Sequence, residues 1–160
     1  MKGLKTIFTT MILCLCCAAT FSSCSDDDDD DAPALPAAKS IAGTYTDNMT
    51  CSVMGSESVF ENVTFTLTAT DDATLAIEIS SFGEAPMQVP GISVNNVAVS
   101  GIDGTYTLAA TEFSGTTEAG KAYSGTIQGS FADNTLTVKF NLQYGAMPMP
   151  MICSFSSVKK

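Results

Sequence analysis

The sequence predicts an all-β protein, an eight-stranded antiparallel up-and-down barrel, on three observations. From Ser40 onward apolar residues recur at every second position, which is the repeat of a half-buried strand and not that of a helix. Turn residues interrupt this alternation at short intervals. No segment carries a helical period that would cover an open sheet, so the sheet must cover itself. Closure into a barrel removes both edges and buries every inward face. A two-sheet sandwich is the alternative.

Taken in order, the chain begins with Lys2 and Lys5 ahead of an apolar core from Ile7 to Ala19, too short for a stable membrane span and typical of an export signal. Of the cysteines near its end, only Cys24 follows a small pair, Ser22-Ser23. With Phe21 this resembles the bacterial lipoprotein box, in which the cysteine becomes acylated and N-terminal. Family boxes more often carry Leu where Phe21 stands, and ordinary secretion with nearby cleavage is the alternative. Residues 1–23 are thus read as signal peptide and Cys24 as the lipidation site. Asp26 through Asp31 form a like-charge block that stays solvated. An acidic run directly behind the lipid cysteine resembles the surface-export signal of Bacteroidetes lipoproteins, which implies the outer membrane and its cell-surface face; a plain solubilising linker is the other reading. Ala32 to Ala38 continue as a Pro/Ala spacer. Residues 24–39 are the tether and 40–160 the folded domain.

The first strand sets Tyr45, Met49, Cys51 and Val53 on one face, and Gly55 marks the turn. Val59, Val63, Phe65 and Leu67 follow, then Asp71-Asp72 and a third run of Leu75, Ile77 and Ile79. The loop from Ser81 to Gly91 holds Pro86 and Pro90, which cannot donate to a ladder. In the fourth run Ile92 and Val94 differ in parity from Val97 and Val99, which places a β-bulge at Asn95-Asn96. Tyr106, Leu108 and Ala110 make the fifth run; Tyr123, Ile127 and Phe131 make the sixth, sharing their face with Gly125 and Gly129, where tight coiling or a large neighbour is expected. Leu136, Val138, Phe140 and Leu142 form the seventh, and after a turn at Tyr144-Gly145-Ala146 the eighth takes Met147, Met149, Met151, Cys153 and Phe155.

In Ile41-Ala42-Gly43-Thr44-Tyr45, Ile79-Ser80-Ser81-Phe82-Gly83 and Gly104-Thr105-Tyr106 the chain resembles the calycin-like β-barrel domain of Bacteroidetes lipoproteins, over roughly residues 40 to 158. True lipocalins carry a Gly-x-Trp signature near the first strand, and this chain has no Trp. The lipocalin comparison is therefore one of fold and transfers no ligand.

With Cys24 lipidated, the mature chain keeps Cys51 in the first strand and Cys153 in the last, both facing inward. Barrel closure makes these strands neighbours, and an exported protein meets an oxidising compartment, so a disulfide across the seam is favoured over two buried thiols. Met49, Met149 and Met151 flank the pair; thioethers with thiolates suit Cu(I), but strand parity explains these methionines as core filler, and no metal or cofactor is expected.

The chain has no histidine, which removes the commonest general base and metal ligand, and no nucleophile motif is present. An enzyme is not expected. Seven basic against 17 acidic residues, net −10, exclude nucleic acid as a partner. Asp47 and Glu61 fall on apparently inward faces without any arginine to pair them, so either they lie at a wet barrel mouth or the local register is off by one. Two function classes remain. In one, a filled barrel is a surface interaction or structural module that engages a protein partner; bulky Tyr45, Phe65, Tyr106, Tyr123, Phe131, Phe140 and Phe155 favour filling. In the other, a small hydrophobic ligand enters beside the Ser81 to Gly91 loop and touches Phe82, Met87 and Val89, which otherwise plug that end. The membrane is met through the lipid on Cys24.

Overall fold

The computed structural model describes residues 35–160. Cys24, the acidic run and the signal segment lie outside the described residues. A short helix, α1 (Ala37–Ile41), precedes eight strands: β1 (Gly43–Val53), β2 (Ser56–Ala69), β3 (Thr74–Ile79), β4 (Ile92–Ile102), β5 (Thr105–Thr116), β6 (Ala122–Ala132), β7 (Thr135–Tyr144) and β8 (Met151–Val158). Each strand pairs antiparallel with the next, and β1 also pairs with β8, so the sheet closes in the order β1 to β8. The sandwich alternative is thereby excluded.

Three hairpins have two-residue turns in which both residues take positive φ: Met54-Gly55, Asp103-Gly104 and Asp133-Asn134. That backbone matches the right-handed twist of the flanking strands, and it is why Gly and Asn or Asp recur there.

The inward side chains meet in one continuous core. Phe65 of β2 stacks on Phe155 of β8 at 4.2 Å between ring centroids and meets Phe140 of β7 edge-on at 6.2 Å, so rings from three strands occupy the centre. Outward positions along the strands carry Thr, Ser, Lys, Asn and Gln, as on β7, where Lys139 and Asn141 are exposed between buried Val138, Phe140 and Leu142. Polar outside and apolar inside is the reverse of a membrane-spanning barrel, so this barrel stands in water.

Three register shifts bend the barrel. On β4 the pairing passes from Leu75↔Val97 to Ile77↔Val94, so Asn95 and Asn96 face the single Ala76, the bulge the sequence predicts. A second bulge lies on β2, where Glu61 and Asn62 face Asn48, with Asn62 at φ 55°. It flips the start of the strand: Val59 turns outward, Phe60 turns in, and Glu61 is exposed, as is Asp47 beside the shift. Neither carboxylate is buried: for Glu61 the local register of β2 differs from the sequence reading, whereas Asp47 keeps the parity of buried Tyr45 and Met49 and is exposed beside the irregularity. A third bulge, on β5 between Leu108 and Thr111, exposes Ala110 and brings Phe113 into the core instead. Gly125 lies beneath Phe113: a Cβ there would overlap the Asn141 carbonyl oxygen and come within 2.6 Å of Phe113 Cζ.

Two further expectations change. Residues 37–39, read as the end of the spacer, begin α1, whose Ala38 and Ile41 are completely buried. The last strand starts after Pro150, not at Met147. Alternating prolines cannot donate to a ladder, and Met149 is exposed.

Candidate functional site

The two barrel ends are built differently. At one end α1 lies across the opening. Its Ala38 N–H donates to the Asp72 carbonyl at 3.1 Å, and the Tyr45 hydroxyl donates to the Ile41 carbonyl at 2.7 Å from inside the core. Lys159 Nζ donates to the Ser40 carbonyl at 2.7 Å, so the last residues of the chain strap the helix down. The Lys39–Asp72 ion pair at 3.0 Å is solvent-exposed on both sides and adds little.

The opposite end gathers the longer connections. Between β3 and β4 the chain forms a small arm closed by Phe82 and Val89, whose backbones exchange hydrogen bonds of 3.1 and 2.9 Å. Phe82 and Val89 are buried, whereas Met87 at the tip is 65% exposed. Opposite the arm, the segment between β7 and β8 is braced where the Gln143 side-chain amide donates to the Met147 carbonyl. An apolar hollow of about 310 Å³ lies between them. Phe82, Met87 and Val89 wall one side, Tyr144, Met147 and Met151 the other, and Val53 and Phe60 complete it, with Glu84 at the rim. The Phe60 and Phe82 rings pack at 5.2 Å.

All three residues assigned to this mouth from sequence therefore come together in one hollow. Sequence reasoning missed Phe60, Tyr144, Met147 and Met151 as its partners. Phe60 comes in through the β2 bulge, and Tyr144, assigned to a turn, ends β7 and is buried. The signal that pointed to Phe82, Met87 and Val89 was their apolar character inside a proline-bearing loop.

On the other side of the arm lies a polar cleft of about 530 Å³, walled by Ser81, Gln88 and Pro90 of the arm and by Thr116, Thr117, Glu118 and Tyr123 across from it. Tyr144 lines both spaces, and Lys121 Nζ sits 5.4 Å from the centre of its ring.

At the seam, Cys51 and Cys153 are directly opposed and joined as a disulfide, their Cα atoms 4.1 Å apart. Met49 is buried beside the pair and Met151 nearly so, but Met149 points to solvent. Among the described residues no cluster of three or more Cys, Asp or Glu side chains forms a metal site.

The model of the calycin-like β-barrel domain family matches residues 41–157. A crystal structure of a putative outer membrane protein from Bacteroides fragilis NCTC 9343 is similar in fold, with a TM-score of 0.68 and 19% identity over 78% of this chain. This chain spans 53% of that protein's length. No curated protein shows significant similarity. The family match runs from within α1 to the penultimate residue of β8, and the closed eight-stranded order agrees with it: the chain belongs to the calycin-like β-barrel family.

Proposed function

We propose that this protein is a non-enzymatic lipoprotein of the outer membrane, anchored through acylated Cys24, whose filled barrel is a rigid mount for a recognition surface at its open mouth. One observation carries this reading: the end where the chain arrives is sealed by α1, while the far end opens between two loop segments. The lipoprotein box at Cys24, the acidic run behind it and the description of the Bacteroides fragilis relative support the membrane assignment. Each acyl methylene contributes about 0.8 kcal/mol on burial in lipid, so a multiply acylated cysteine holds the chain stably without a helix. Labelled palmitate is expected in the wild-type protein and absent from Cys24→Ala, which should leave the membrane fraction. Equal membrane retention of both would overturn the anchor.

A second reading is favoured by the walls of the mouth hollow, which are almost entirely side-chain carbon: the hollow holds a small apolar ligand. Mass spectrometry of an organic extract of the purified protein tests it. A stoichiometric lipid-like species is expected, and an empty extract from protein that also fails to bind added hydrophobic probes opposes it.

A further inference from the structure

The arm at the mouth is a two-sided ribbon. Phe82 and Val89 face the apolar hollow, while their chain neighbours Ser81, Gln88 and Pro90 face the polar cleft. Side chains on an extended chain alternate between faces, so one short ribbon supplies a wall to each space. Tyr144 supplies a wall to both, and the two spaces are therefore adjoining halves of one mouth.

The chemistry of each half limits what fits. The apolar half, at about 310 Å³, is at the lower end of the range for ligand pockets, roughly 300 to 1,000 Å³, and admits a single short chain. The polar half offers an amide at Gln88, hydroxyls at Thr116 and Tyr123 and a carboxylate at Glu118, a mixture of donors and acceptors matched by groups that do both. This mixture suits a neutral head better than an ionic one of either sign. Glu84 and Glu118 stand at the two halves of a chain with net charge −10, which disfavours an anion. A quaternary ammonium head gains little from exposed carboxylates, has no N–H to pair with the Gln88 amide or the hydroxyls, and finds the Tyr144 ring already covered by Lys121.

We infer that the mouth is one bipartite site for an amphiphile with an uncharged, polyhydroxylated head, its short apolar tail between Phe82 and Met147 and its head between Gln88 and Glu118. The inference rests on the second reading above and adds the class of ligand.

The test uses the chain from Ser25 onward, which contains the whole closed barrel and its core, titrated calorimetrically with alkyl maltosides of increasing chain length below micelle formation. Affinity is expected to rise about fourfold per added methylene and to level off once the hollow is full. Alkyl sulfonates and alkyl trimethylammonium ions with the same tail should bind about tenfold more weakly. Gln88→Ala should weaken the maltosides but not the matching alkanols, and Met87→Glu, at an exposed position that leaves the fold intact, should weaken both. Affinity that ignores the head group, or a Gln88→Ala variant that binds maltosides unchanged, would overturn the bipartite site and leave the apolar hollow standing. Failure of every tail to bind would remove both.

Discussion

Tyr45 stands where the barrel meets its cap, buried from solvent with its hydroxyl on the Ile41 carbonyl, and burial pushes its phenol up to about 12 from an ordinary value of 10.0. Because the folded state holds this proton more tightly than the unfolded state, its contribution to stability is complete below the unfolded value. It is lost as pH rises through the window up to the folded one. Denaturant unfolding at graded pH should show the wild type losing about 2 to 3 kcal/mol more than Tyr45→Phe across that window. Parallel losses would contradict it. Gly125 makes a steric prediction of the same local kind. With Phe113 and the Asn141 carbonyl in the space a Cβ needs, Gly125→Ala should cost about 1 to 3 kcal/mol in equilibrium unfolding. At this scale the sequence is legible in part. Gly125 is flagged by its place on an apolar face, but Phe113 is not, because Ala109 and Ala110 fit either face and conceal the bulge that turns Phe113 inward. Phe60 is concealed in another way: Val59 keeps the same parity as Val63, so a regular strand accounts for the pattern as well as a bulged one does. Asn95 and Asn96 reveal their bulge because two polar residues separate valines of opposite parity.

Among the elements, the junction that closes the barrel is, with that between β4 and β5, one of the two shortest. β1 and β8 share four paired positions, Met49 to Ser52 against Phe155 to Ile152, whereas β6 and β7 share ten. The disulfide sits within this short seam and joins residues 102 apart in sequence, and for loops of that size chain-entropy models give about 4 to 5 kcal/mol. Paired Cys51→Ala and Cys153→Ala substitutions should lower unfolding stability by several kcal/mol; stability equal to the oxidised wild type would show that strand pairing alone holds the seam. Both cysteines were legible from strand parity once closure was expected. The helix was not, since five residues are too few to display a helical period, and Ala37 and Ala38 look like the end of a spacer. Ile41 is nevertheless completely buried, so Ile41→Ala should cost about 2 to 5 kcal/mol, more than a linker residue could. The start of β8 misled in the opposite direction. Met147-Pro148-Met149-Pro150-Met151 alternates like a strand, but only the residues after Pro150 can sustain a ladder; of the methionines before it, Met147 lines the mouth and Met149 points to solvent.

For the molecule as a whole, the position of the cap decides orientation. Leu35 and Pro36 lead directly into α1, so the chain arrives at the sealed end, and the mouth loops, including Met87, lie at the other. If the protein is held through Cys24, as proposed above, it presents the mouth away from its membrane. If that membrane face is the cell surface, a thiol at Met87, exposed and outside the strands, is open to reagents that cannot cross the envelope. Met87→Cys should therefore react with a membrane-impermeant maleimide on intact cells, and Ile41→Cys, on the buried face of α1, should not. Labelling of Met87→Cys only after the envelope is broken would place the mouth in the periplasm, and labelling of both positions alike would mean that the cap does not close its end. The readout separates cap from orientation, because burial of Ile41 on the inner face of α1 depends on the fold alone while access at Met87 depends on which side of the membrane the barrel occupies.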